Sequence, residues 1–415
     1  MAHISLFPED LLSNILSRLP VKYVMRSRSV CKNWNFMLRS PNFFSLYYKH
    51  QSCEQERLAK DGVSSFIVLE YIENASEYDS YDDPAHVLLS FLTVKKMDNE
   101  LITTVDKVEK IDILTSASLE LLSTQDRIHA DHINFAKVYD GIICLGNYVG
   151  VVLYNPCTRE SQRLPFLRSP RSTPRSTPYI HDDYYYLHLG MWFESNQQPG
   201  TINHYKVFRV VNFNRHEDPN VRNTSVIEKY DSAEGCWSEI ITIRKRQYQS
   251  SSYMRLLFNG IIHLYVDGDS VVTLDARLEK LGLLPLPSGF IFKHLCLKGL
   301  FVLGRSLALF LENPDNSFCN NIWMMTEYGV KESWTKQYSF NFLDPSGLLY
   351  NGWRLLAQWK CMDEDELFID RTVSLDECKV VSFNLLSGKL TDIYTCHSPR
   401  ILTIVPYMES FFSFK

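Results

Sequence analysis

His3 to Pro41 reads HISLFPEDLLSNILSRLPVKYVMRSRSVCKNWNFMLRSP. Leu11, Leu12, Ile15, Leu16 and Leu19 recur at i, i+1, i+4, i+5 and i+8, the spacing of one apolar helical face. Pro8 suits the first helical position, and Glu9 and Asp10 sit where the helix dipole favours negative charge. Pro20 stops this helix. A second short helix turns Val21, Val24 and Met25 inward. A third opens with Ser29 as N-cap and sets Val30, Trp34, Met37 and Leu38 on one face. Three short helices in about 40 residues bury too little surface to stand alone. They also carry more large apolar residues than their own core can cover, so the excess is buried against the rest of the chain or a partner. From Arg18 to Arg39 the charged residues are Arg18, Lys22, Arg26, Arg28, Lys32 and Arg39, with no acid among them. Such a face suits a partner with negative charge beside its groove, or it is simply solvated.

The remaining chain changes period. Ser65 to Tyr71 alternates as a strand, and strand pairs then recur. Asp140-Gly141 opens Ile142 to Leu145, and Val149 to Tyr154 returns. Asn259-Gly260 opens Ile261 to Val266, and Val271 to Leu274 returns. Leu300 to Leu303 turns at Gly304 into Leu307 to Leu311, and Glu366 to Asp370 pairs with Val380 to Asn384. Tyr205 to Val211 and Val226 to Tyr230 lie between the first two pairs, and Leu164-Pro165 and Leu284-Pro285 close their units. Hairpins recurring along the chain predict a β-propeller, with a pair of β-sandwiches as the rival. Trp237, Trp323 and Trp334 are then blade-packing residues.

Composition narrows the function. The 415 residues are 45% apolar and 22% charged, ordinary for a globular chain with a real core, and the 23 Tyr and 24 Phe favour strands. A net charge of −5 argues against nucleic acid as partner, and the lack of glycine before Gly62 argues against a helix-turn-helix reader. Acid arrives at Glu9 with no long apolar core, unlike a signal peptide. Leu295 to Leu311, the most apolar later stretch, is broken by Lys298, Gly299, Gly304 and Arg305, so no membrane span is expected. The ten cysteines form no Cys-x-x-Cys pair or zinc spacing, and they read as reduced thiols of a cytosolic or nuclear protein. Cys144, Cys296 and Cys378 are expected in the core, and Cys31 as a small buried residue of the helical face.

No P-loop, Gly-x-Ser-x-Gly, His-Glu-x-x-His or Gly-x-Gly-x-x-Gly motif occurs. His132 and His181-Asp182-Asp183 are too weak a signal for acid–base chemistry, so neither catalysis, cofactor nor metal is expected. Glu73 to Asp83 is an acidic surface loop without calcium-site spacing. Arg168 to Pro178 is a basic, proline-rich surface insertion.

Leu6-Phe7-Pro8-Glu9-Asp10-Leu11-Leu12, Ile15 to Lys22 and Val30-Cys31-Lys32-Asn33-Trp34 resemble an F-box. The resemblance implies docking on a Skp-type adaptor, and through it on a cullin scaffold. Leu6, Pro8, Leu11, Ile15, Leu16, Leu19, Pro20, Val24, Val30, Cys31 and Trp34 fall on the family's adaptor-facing positions. Leu6 stands in for the leucine of the usual Leu-Pro pair. Asp140 to Leu145 with Leu153 to Glu160, Tyr205-Lys206-Val207, Tyr230 to Trp237, Asn259 to His263, and Ile322 to Met325 with Tyr328 to Lys336 resemble, in order, the type 1 F-box-associated domain of plants. The whole chain, including Val405 to Ser410, is similar to S-locus F-box and S-locus F-box-like proteins. Gly-Gly pairs of true kelch repeats are missing, His204 replaces the family's Asp before Tyr-Lys-Val, and Leu189-Gly190-Met191 replaces its Gly-Phe-Gly.

The expected architecture is therefore α plus all-β. Residues 1–50 form a three-helix F-box, 51–64 a connecting segment, and 65–415 a large kelch-like β-propeller that binds the substrate. The implied role is a non-catalytic substrate receptor of a ubiquitin ligase, with a protein target such as an S-locus ribonuclease and no nucleic acid or membrane. The alternative is a non-degradative propeller binding a protein or glycan, its helical start purely structural. The two differ in whether the face of Leu11, Ile15, Leu16 and Trp34 is open or covered by the β-domain.

Overall fold

The computed structural model describes residues 7–72, 86–97, 100–111, 135–139, 141–146, 151–165, 186–195, 202–213, 224–244, 256–267, 269–288, 297–313, 316–341, 354–361, 364–372, 378–397 and 401–411. His132, His181-Asp182-Asp183, Cys296, the acidic loop and the proline-rich insertion lie outside them.

The chain begins with a helical handle: α1 (Glu9–Leu16), α2 (Val21–Ser27), α3 (Lys32–Met37) and α4 (Pro41–Lys60). Pro8 and Pro20 precede the first two helices, their fixed φ favouring extended entry. The third helix starts later than the sequence implies. Cys31, not Ser29, is its N-cap, its sulfur accepting from the Trp34 N–H, while the Ser29 hydroxyl donates to the Arg26 carbonyl. Cys31 is consequently exposed rather than packed. The fourth helix runs straight through residues 51–60, read above as a connector. Only Phe43 and Tyr47 of it are buried, so its polar second half carries no core signature. The link to the β-domain shrinks to Asp61-Gly62.

Six four-stranded antiparallel sheets follow. Blade 1 holds β1 (Val63–Ile72), β2 (His86–Met97) and β3 (Glu100–Ile111), together with the last strand of the chain, β24 (Ile401–Pro406). Blade 2 holds β4 (Phe135–Tyr139), β5 (Ile142–Gly146), β6 (Val151–Asn155) and β7 (Glu160–Arg163). Blade 3 holds β8 (Tyr186–Ser195), β9 (Ile202–Phe213), β10 (Thr224–Asp231) and β11 (Cys236–Arg244). Blade 4 is β12 (Leu256–Phe258), β13 (Ile261–Asp267), β14 (Ser270–Asp275) and β15 (Lys280–Pro285). Blade 5 is β16 (Leu297–Leu303), β17 (Ser306–Asn313), β18 (Asn316–Met325) and β19 (Trp334–Asn341), and blade 6 is β20 (Arg354–Cys361), β21 (Glu364–Thr372), β22 (Cys378–Asn384) and β23 (Leu390–Thr395). Their innermost strands neighbour one another in a closed circle, β24–β4–β8–β12–β16–β20 and back to β24. The fold is a six-bladed propeller whose ring is closed by pairing Phe66–Glu70 with residues 401–406.

Successive strand residues point to opposite sheet faces, and here both faces are buried between blades. Along β17, Leu307, Leu309 and Leu311 pack toward blade 4, whereas Ala308 and Phe310 pack toward blade 6. This explains why the stretch from Leu297 to Leu311 is so apolar while forming strands. No described helix is long and apolar enough to cross a membrane. Cys144 and Cys378 are buried as expected. Two of the tryptophans link blades: the Trp237 indole donates to Pro165 O and the Trp334 indole to Pro285 O, both at 2.8 Å. Each acceptor is the proline that closes the preceding blade. The departure at Gly190 has a packing reason, because a Cβ there would sit 2.8 Å from Ile262 Cδ1 of the next blade.

Candidate functional site

Two adjacent apolar rows run along α1. Leu12 and Leu16 turn toward the other helices, where Leu16, Val21, Val24, Met37, Leu38, Phe43 and Tyr47 form one cluster. Leu11 and Ile15, one helical turn apart, point away and are 46% and 49% exposed. The sequence-derived adaptor set is thus divided. Pro8, Leu11, Ile15, Pro20, Val30 and Cys31 are exposed, and Leu19 and Trp34 are half-buried. Leu16 and Val24 are interior, at 6% and 0% exposure, because they face the α4 side of the bundle. Leu6 lies outside the described residues. Phe7, Tyr23 and Phe36 were not singled out from the sequence, yet they are exposed too, Phe36 at 80%. Leu19, Pro20, Tyr23, Arg26, Ser27 and Val30 bound a shallow cleft of about 470 Å³ on this handle.

The basic stretch also divides. Arg18, Lys22, Arg26, Lys32 and Arg39 are exposed. Arg28 instead turns inward, donating to the Leu38 carbonyl at 3.2 Å and lying over the Phe411 ring, and burial lowers its pKa.

The handle is fixed to the propeller from the other side, by the segment that follows β24. Phe411 completes the handle cluster, its ring 4.3 Å from that of Tyr47 and edge-on to it. The Val21 N–H donates to Glu409 Oε2 at 2.6 Å, Gln55 donates to Tyr407 O, and the Tyr48 and Ser410 hydroxyls meet at 3.2 Å. On the propeller side, Asn155 donates to Ser410 O at 3.0 Å, and the Cys157 thiol meets the Tyr407 hydroxyl at 2.8 Å. Burial pushes that thiol up to about 11, which keeps it neutral. Gly141, at φ +75°, leaves room for the strap: any Cβ there would strike the Met408 carbonyl. The sequence offers no local sign of this strap, since its partners are hundreds of residues away.

The exposed face therefore combines apolar rows with cations that, among the described residues, have no acid at ion-pair distance, and its underside is buried. Among the described residues no group of three or more His, Cys, Asp or Glu could hold a metal ion. An open apolar row flanked by cations can dock a partner of acidic character. Residues 4–46 match the F-box domain. The longer matches extend beyond that domain. The chain is 24% identical over 380 residues to F-box protein At3g07870 of Arabidopsis thaliana, covering 85% of this chain and 77% of that one. It is 20% identical over 340 residues to F-box/LRR-repeat/kelch-repeat protein At2g27520 of the same plant, covering 81% and 76%. A 75-residue match to F-box protein At5g49610, also from A. thaliana, is 35% identical and covers 18% of this chain and 21% of that one.

Proposed function

We propose that this chain is the substrate-recognition subunit of an SCF-type (Skp–cullin–F-box) ubiquitin ligase. The observation that carries the reading is the openness of Leu11 and Ile15 in the assembled chain. The propeller grips the F-box through α4, the start of α2 and the 407–411 strap, and leaves the opposite face free for a Skp-type adaptor. The adaptor in turn contacts the cullin. The exposed cations beside these residues favour an adaptor surface with acidic character.

The mechanism is proximity. A target held on the propeller is kept beside a charged ubiquitin carrier, which raises the effective concentration of its lysines. The rigid strap matters here, because a swivelling handle would dilute that concentration. The chain itself supplies binding and no chemistry, and it works in the cytosol or nucleus. The narrower reading makes the target a basic S-locus ribonuclease. It is supported by the similarity of the body to S-locus F-box proteins and by the acidic residues between Glu73 and Asp83.

The test is to replace the chain in its own cells by the Leu11→Asp/Ile15→Asp form and compare protein abundances. Targets accumulate, and lose ubiquitin, only in the variant. Unchanged abundances and ubiquitin occupancy would refute the degradative role, and a ribonuclease missing from the accumulating set would refute the narrower one.

A further inference from the structure

A cleft of about 930 Å³ lies between the handle and blades 1 and 2. That is within the usual range for small-molecule sites, roughly 300–1,000 Å³. Its handle wall carries Arg18, Lys22 and Arg26, and its propeller wall carries Lys107 and Arg159. Met25, Leu58 and Phe91 supply apolar surface between them.

Of the acids that share the cleft, one is paired with a cation and two accept hydrogen bonds from neutral groups. Glu54 is held by two hydrogen bonds from Arg57, Glu409 accepts the Val21 N–H, and Asp106 accepts the Thr93 hydroxyl. Lys107 and Arg159 converge on a single oxygen of Glu109, so two cations share one carboxylate. Arg18 reaches only the Asn14 amide, and among the described residues neither Lys22 nor Arg26 has an acid at ion-pair distance. Thr158 Oγ1, on the propeller wall, is buried without a hydrogen-bond partner. The lining carries the five cations Arg18, Lys22, Arg26, Lys107 and Arg159 against the three acids Glu54, Asp106 and Glu409, so the cleft is net positive, and an unmet polar atom lies beside it. Like charges facing each other destabilise unless something neutralises them.

We infer that this cleft binds a small polyanion, one carrying two or more phosphate or carboxylate groups, that bridges the handle and the propeller. Its charge would be shared by Lys22 on one wall and Lys107 and Arg159 on the other, tightening the angle that the strap already sets. Its handle wall shares Arg18, Lys22 and Arg26 with the basic stretch beside the adaptor face, and it is separate from the target-binding role.

The test is calorimetric titration of the full-length chain at low salt with inorganic tripolyphosphate and, separately, with citrate. Saturable one-to-one binding is expected, with a rise in Tm of several degrees, and the preferred probe tells phosphate from carboxylate chemistry. Lys22→Gln and Lys107→Gln, on opposite walls, should each weaken binding about tenfold, a loss of one charged contact worth ~1.4 kcal/mol. Lys336→Gln, on the exposed outer strand of blade 5, should leave it unchanged. Lack of saturation with both probes overturns the inference. So does weakening by Lys336→Gln equal to that of the cleft variants, or weakening by variants of one wall alone.

Discussion

Glu409 Oε2 accepts the Val21 N–H at 2.6 Å at a sequence separation of 388, so a residue late in the chain caps a helix near its beginning. α2 has no capping side chain of its own, because Pro20 occupies the N-cap position. The carboxylate thus satisfies an orphan donor and meets the positive end of the helix dipole. With Phe411, Gln55–Tyr407 and Tyr48–Ser410 it ties the helical handle to the propeller.

Replacing Glu409 by Gln keeps the hydrogen bond but removes the charge, and replacing it by Ala removes both. Loss of an N-cap costs roughly 0.5–2 kcal/mol. Denaturant titration should place Glu409→Gln between the wild type and Glu409→Ala, with adaptor affinity little changed because the docking residues are untouched.

Phe411 is 3% exposed and touches Phe43, Phe44 and Tyr47. Phe411→Ala should cost about 3–5 kcal/mol of handle stability, and limited proteolysis should then cut within α1 to α3 while the propeller survives. Handle and propeller melting together as before would mean that the strap carries little of the contact.

Within blade 3, Arg209 and Glu228 form a buried ion pair, 2.7 Å apart and each 2% exposed, with the guanidinium 5.1 Å from the centre of the Trp237 ring. Burial raises the Glu228 pKa, against the opposing pull of Arg209. Arg209→Met alone leaves a buried charge and should destabilise by roughly 3–5 kcal/mol, whereas Arg209→Met with Glu228→Leu should recover most of that loss. Thermal unfolding of the two variants provides the comparison.

His50 on α4 binds the buried Ser17 hydroxyl through Nδ1 at 2.8 Å, tying α4 to the end of α1. Burial first, then Arg18 and Lys49, hold its pKa below the ordinary value of 6.5. A depressed histidine contributes stability that is present above its unfolded pKa and lost as pH falls through the folded one. The handle should therefore weaken on acidification below about pH 6.5, and His50→Gln should flatten that part of the stability–pH curve.

Much of this was legible locally. Asn259 and Gly260 both adopt positive φ, at +52° and +75°, as a two-residue hairpin turn requires, and such dipeptides marked blades 2 and 4 in the sequence. Blade 1 was legible only as its first strand, because its closing partner, residues 401–406, is more than 300 positions away. The docking face was half legible. Leu11 with Ile15 and Leu12 with Leu16 are two rows with the same spacing, and only packing against α4 shows which is inside. The second half of α4 read as a linker because a helix lying on a surface buries few residues.

The most direct measurement is calorimetric titration of a purified Skp-type adaptor into the full-length chain, as wild type, Leu11→Asp/Ile15→Asp and Glu409→Ala. The account predicts tight binding by the wild type, near-normal binding by Glu409→Ala, and at least a hundredfold loss for the double variant with its Tm unchanged. An unaltered affinity in the double variant, or no binding by the wild type, would contradict the claim that this open helical face is what the adaptor grips.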